Sequence, residues 1–265
     1  MNPPRVLTGT DGRFVFRDLP RGSFSITATK AGYAEGAHGR RRPDGPSQQV
    51  TLVESERIGD VVVRLWRLAA ITGTVIDETG EPLVGVQIRP FRRTMVSGRA
   101  RFVSGPVATT DDRGAYRAGN LVPGQYVVGA SARHVAIPMP TPGELMTRGF
   151  PSNAELGPPP TLPGGPGGIQ VGDFVYALGR GAPIPPSPVD DRLLIYPPAF
   201  YPSATGLMEA TMIDLAAGED RTAIDLQLRP TNTVRVSGIV IGPDGPAERT
   251  VVRLLPANPD DVGLT

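Results

Sequence analysis

From Ile71 to Ala132 the chain is punctuated by turn formers, and their placement decides what this chain can fold into. Glu78-Thr79-Gly80, Pro82, Asp112-Arg113-Gly114 and Pro123-Gly124 break the stretch into short pieces. An Asp can bond its own backbone and a Gly accepts positive φ, so Asp112-Arg113-Gly114 reads as a tight turn. Pro82 ends any long regular ladder at that point. The pieces between are strand-like. Ile71–Ile76 is β-branched, which favours a pleated, half-buried conformation. Val84, Val86 and Ile88 alternate with Gly85, Gln87 and Arg89, and Tyr126, Val128 and Ala130 fall on one face of a later strand. No 3.6-residue period runs through the stretch. It predicts an all-β module of short strands.

The same pattern recurs along the chain. Asp11-Gly12-Arg13-Phe14 parallels the turn at 112–115, Leu19-Pro20-Arg21-Gly22 parallels Leu121-Val122-Pro123-Gly124, and Phe24, Ile26 and Ala28 parallel Tyr126, Val128 and Ala130. Val50 and Leu52, then Val61, Val63 and Leu65, predict closing strands that Ile213 and Leu215, then Ile224, Leu226 and Leu228, repeat. A further opening starts at Val236-Ser237-Gly238-Ile239-Val240-Ile241, turns at Gly242-Pro243-Asp244-Gly245, and continues with Val251–Leu255. Fixed-period self-similarity of this kind marks tandem modules. The expected division is residues 1–69 as the closing part of a first module, 70–232 as a complete central module, and 233–265 as the opening part of a third. A first module without opening strands and no apolar signal core over residues 1–20 lead to the expectation of a fragment of a longer exported protein.

An insertion at about 138–192 splits the central module. Fifteen of the 30 prolines lie between Pro138 and Pro198, around Gly164-Gly165-Pro166-Gly167-Gly168. Proline removes donors and fixes φ, so most of this stretch is expected as loop, polyproline II or disorder. Phe174–Leu178 is expected as a short strand within it, and Leu193–Tyr196 as the return of order.

Gly and Pro together, 33 and 30, make roughly a quarter of the 265 residues. The hydrophobic 39% still suffices for a core of short strands. Charges nearly cancel, 27 basic against 26 acidic, which leaves no nucleic-acid footprint. Cysteine is absent, so disulfides, thiolate metal sites and a Cys nucleophile are excluded. The two histidines, His38 and His134, stand in different modules with no H-E-x-x-H spacing. No G-x-S-x-G elbow occurs. The pairs Asp111/Asp112, Asp190/Asp191 and Asp260/Asp261 read as turn residues, because neighbours in a strand point apart. No window is apolar for long enough to span a membrane as a helix. Neither a cofactor nor a metal site is expected.

The run TGTVIDETGEPLVGVQI, followed by TTDDRGAYRAGNLVPGQYVVGASA, resembles a carboxypeptidase regulatory-like domain. The G-x-V, D-x-x-G-x-Y and L-x-P-G-x-Y elements stand in that family's order. The resemblance implies tandem immunoglobulin-like (transthyretin- or prealbumin-like) β-sandwich modules, related to the B-type repeats of bacterial collagen adhesins. It further implies a non-catalytic structural or adhesive role at the cell envelope or outside the cell. Neighbouring β-sandwich modules would be the partners, together with a polysaccharide or another cell-surface polymer. Collagen-adhesin repeats often carry a Lys–Asn isopeptide bond. The only lysine is Lys30, so the central module has none to form one.

A carbohydrate-binding accessory role is the alternative. Aromatic rings with polar tips suit a half-wet stacking surface, and Phe174, Tyr176, Tyr196, Phe200 and Tyr201 gather around the insertion. Tyr176, Tyr196, Phe200 and Tyr201 are the candidate sugar-binding residues, with core packing as the other reading of the same side chains. Arg40, Arg41 and Arg42 form a basic loop that reads as a solvated hairpin tip or an anion grip.

Overall fold

Strands are short almost everywhere, as the turn formers require. The structure, a computed structural model, describes residues 4–54, 57–130, 134–138, 169–171, 174–178, 181–186, 193–234, 236–243, 245–247, 250 and 252. Most of the insertion expected at about 138–192 and most of the expected strand at 251–255 lie outside them. The chain divides into two units, Met1–Arg67 and Leu68–Thr265.

The first unit contains β1 (Gly22–Ser25), β2 (Thr27–Ala28), β3 (Tyr33–Ala34), β4 (Gly36–Ala37), β5 (Gln49–Leu52) and β6 (Trp66–Arg67). They pair antiparallel as β1 with β5, β2 with β4 and β3 with β6. The turn at Asp11 behaves as its composition predicts: Asp11 accepts from the Arg13 N–H and Gly12 takes φ 77°. The expected strand over Val61–Leu65 does not form. Its trace is one bridge between His38 and Val63 before β6.

The second unit holds β7 (Ala69–Ile76), β8 (Gln87–Val96), β9 (Arg99–Ser104), β10 (Ala108–Thr109), β11 (Ala115–Leu121), β12 (Gly124–Ala130), β13 (His134–Pro138), β14 (Ile169–Val171), β15 (Phe174–Leu178), β16 (Leu194–Ile195), β17 (Ala199–Phe200), β18 (Ile213–Leu215), β19 (Asp220–Arg221), β20 (Leu226–Gln227), β21 (Thr231–Asn232), β22 (Ile241–Gly242) and β23 (Gly245–Pro246). One sheet runs β10-β8-β12-β17, with β9 added to β8 and β18 added to β12. The other is built on β7, which pairs antiparallel with β11 and parallel with β19 and β20. Ile71 and Val75 of β7, Tyr116 and Leu121 of β11, Ile88 of β8, Tyr126 and Val128 of β12, and Ile213 and Leu226 bury one shared core between the sheets. The architecture is an all-β sandwich.

Two further expectations differ from the structure. The working aspartate of the 111–115 turn is Asp111, not Asp112: its Oδ1 accepts from the N–H groups of Arg113 and Ala115, at 2.9 and 2.8 Å. The run Val236–Ile241 is extended only at β22, which turns back onto β23, and Val236, Ile239 and Ile241 are exposed. Strand β15 forms where expected and joins β13 and β14 in a separate three-stranded sheet.

Segment 200–212 gives the first sheet a second buried face. Phe91, Val127, Phe200 and Leu207 form a small cluster there, with Phe102 and Met212 packed against it. Both faces of β12 are therefore covered, and residues 126–130 are all buried.

Candidate functional site

The polar groups that the fold positions most firmly are the tyrosines of the two turn motifs. Tyr116 follows the Asp111 turn on β11, directly opposite Gly73 of β7. Its hydroxyl reaches across β7 and donates to the Ile224 carbonyl at 2.6 Å. Tyr126, after the Pro123-Gly124 turn, donates to the Val122 carbonyl at 2.6 Å and so clamps its own turn. Thr110 is buried between strands. Its hydroxyl donates to the Leu83 carbonyl and accepts from the Val86 N–H. Asp77 accepts from the Thr79 hydroxyl and from the N–H groups of Thr79 and Glu81, and the Thr79 hydroxyl chiefly holds its carboxyl below the usual range. These groups spend their hydrogen bonds on the chain's own turns and strands.

Burial, and then the nearby Asp225 charge, push the Tyr116 phenol above its ordinary value. Tyr196 is raised too, by burial and by donating to the Glu78 carboxylate at 2.9 Å. A phenol raised in the folded state contributes stability that is complete below the ordinary value of about 10 and is lost as pH climbs through the raised one. Tyr116→Phe should therefore cost about 1–2 kcal/mol at neutral pH and make the fall of stability in alkali less steep. Urea midpoints of wild type and variant between about pH 8 and about pH 11 check both parts.

Two of the expected sugar-binding residues are buried. Tyr196 is 4% exposed and belongs to the inter-sheet core, while Phe200 is 1% exposed in the outer cluster against Phe91. The cause is the cover on both faces of the β8–β12 sheet, which makes these rings core rather than platform. Tyr201 is half-buried against the core. The backbone of Tyr176 lies in β15, and its side chain is outside the described residues.

Nor is there a catalytic constellation among the described side chains. His38 sits beside the Val62 carbonyl in the first unit, and His134 contributes backbone to β13. Among the described residues no three His, Asp or Glu side chains gather as metal ligands do. No described helix is long and apolar enough to cross a membrane.

A different surface emerges at the β8–β9 hairpin, where Phe91↔Ser104 to Val96↔Arg99 are paired. Strand β12 accompanies β8 only as far as Arg92, so the hairpin projects beyond the sheet. Arg93, Met95, Ala100 and Phe102 share the face that carries Phe91. Phe102, Met208 and Met212 line an open groove of about 240 Å³, with Arg93 and Arg101 at its edge. That is smaller than the roughly 300–1,000 Å³ of ordinary small-molecule sites, and suits an inserted side chain better than a cofactor. Arg93 donates to Gln125, which donates on to Asp214. Among the described residues, no acidic side chain pairs with Arg99 or Arg101. The signal was present in the sequence: five arginines and no acid stand between Glu81 and Asp111.

No curated protein matches the chain. Among solved structures, the minor pilin GBS52 of the Gram-positive pathogen Streptococcus agalactiae is similar at 16% identity, with TM-score 0.32, over 87% of this chain and 69% of the pilin. A streptococcal ancillary pilin is similar at 21% identity and TM-score 0.24, over 42% of this chain and 33% of that one. The TIE protein of Bacillus anthracis follows at 14% identity and TM-score 0.27, over 82% of this chain and 27% of that one. The G-x-V strand, the β8–β9 hairpin and both tyrosine turns all fall inside a segment with a family match: residues 70–137 match the carboxypeptidase regulatory-like domain.

Proposed function

We propose that this chain is a non-catalytic structural or adhesive protein of the bacterial cell envelope, its β-sandwich units working as rigid elements beside neighbouring modules of the same kind. The observation that carries this reading is the use made of the polar side chains. Tyr116, Tyr126, Thr110, Asp77 and Asp111 all bond to main chain within strands and turns. A hydrolytic site needs at least two such groups converging on a reacting atom, and these diverge. The carboxypeptidase regulatory-like match over residues 70–137 supports the reading, although a fold by itself hosts many functions.

Two measurements test it together. Incubation with peptide and ester substrates should give no turnover above buffer. Affinity electrophoresis through gels carrying a panel of neutral polysaccharides should give no retardation. Turnover that His134→Ala removes would replace the reading with an enzyme. Retardation that Tyr201→Ala removes would replace it with a carbohydrate-binding module.

A further inference from the structure

We propose that the free edge of β9 docks an extended acidic peptide strand, with the neighbouring groove taking one of its apolar side chains. Among the described residues β9 pairs with β8 alone, so its outer edge presents unpaired N–H and C=O groups at strand spacing. Such an edge is a template for strand addition. Its charge decides which strand can use it. Arg99 and Arg101 stand exposed on β9, and Arg93 on the adjacent strand lines the groove with Arg101. Arginines along an edge repel a second copy of the same edge, whereas they pair with carboxylates through forked hydrogen bonds.

The groove supplies the apolar half of the recognition. Met208 is 62% exposed, and with Met212 and Phe102 it forms an adaptable wall, since thioether side chains repack around different partners. Met95, also exposed and on the same face, extends this apolar character along the hairpin. Glu209, beside Met208, is the one acid of the 207–212 segment and leaves the rim cationic. Alternating acidic and apolar residues in an extended partner would present carboxylates to one side and apolar groups to the other. The inference goes beyond the structural role proposed above and does not depend on it.

The probe is a fluorescein-labelled, end-capped peptide of alternating glutamate with valine or leucine, titrated into the whole chain and followed by anisotropy at low and high salt. Controls are the same sequence with every internal amide N-methylated, a version with lysine for glutamate, and polygalacturonate. The acidic peptide should bind, and more weakly in high salt. The methylated and lysine peptides should not. The double variant R99E/R101E, altered only at exposed positions, should weaken the acidic peptide by about tenfold or more and gain affinity for the lysine peptide. Equal binding of the methylated peptide would overturn strand addition, since charge alone would explain the result. Failure of the acidic peptide to bind, or binding of polygalacturonate without it, would overturn the proposal outright. Because the peptide comparison uses the unaltered chain, misfolding of the double variant could not rescue it.

Discussion

Gly73→Ala will destabilise the central sandwich by about 3 kcal/mol or more, and the reason is an obstructed crossing rather than a lost turn. Gly73 sits in the middle of β7, opposite Tyr116. A Cβ there would fall 2.5 Å from the Ile224 carbonyl carbon, closer still to its oxygen, and 3.1 Å from the Tyr116 ring. Two of those three contacts are backbone, which cannot swing aside as a side-chain tip can. The new methyl would also push on the hydrogen bond that joins Tyr116 to Ile224, and on the Ile224 N–H that donates to the Thr72 carbonyl. The loss of one hydrogen bond, roughly 0.5–1.5 kcal/mol, would add to the strain. Gly119→Ala on β11 is the control: its Cβ would meet only the end of Arg117 at 3.4 Å, and it should change stability by no more than about 0.5 kcal/mol. Urea unfolding followed by near-ultraviolet circular dichroism reports on Tyr116, Tyr126 and Tyr196, whereas the sole tryptophan, Trp66, lies in the first unit. Equal midpoints for the two variants would show that Tyr116 does not cross over Gly73.

This crossing also marks where reading the sequence stops. The glycine of G-x-V and the tyrosine of D-x-x-G-x-Y are visible as a pattern, and the turns around them follow from local chemistry: an Asp side chain that bonds two residues on, and a Gly at positive φ. The reason for the pair is not local. Ile224 lies 108 residues beyond Tyr116, and nothing in either segment names the other. Two of the aromatic candidates, Tyr196 and Phe200, are buried for the same kind of cause. Tyr196 and Phe200 look like a stacking surface while the sheet is taken to have one wet face. Tyr196 instead packs into the core between the sheets, and Phe200 becomes core once segment 200–212 folds over the outer face beside Val127. Alternation tells which side chains share a face, never what will cover that face. The arginine hairpin is the reverse case, a charge run without acid that the near-neutral total charge averages away.

Thr110→Val will cost about 2–4 kcal/mol, although it places an apolar side chain of similar shape at a position that is only 4% exposed. The Thr110 hydroxyl donates to the Leu83 carbonyl at 2.6 Å and accepts from the Val86 N–H at 2.9 Å. Main-chain bonds between Thr110 and Val86, and between Gly85 and Thr110, remain in the variant. The side-chain bonds do not, and Val86 is fully buried, so its N–H is left with neither protein nor water as partner. An orphaned buried donor costs roughly 1–3 kcal/mol, and the Leu83 carbonyl adds to that. Thr110→Ser keeps both bonds and removes one methyl, a loss of about 1 kcal/mol. The expected order is therefore wild type, then serine, then valine, opposite to what hydrophobic burial alone demands. Urea midpoints of the three proteins decide between the two orders. If valine proved as stable as serine, the hydroxyl would be a passenger in the core, and the entry of the chain into β8 would rest on main-chain pairing alone.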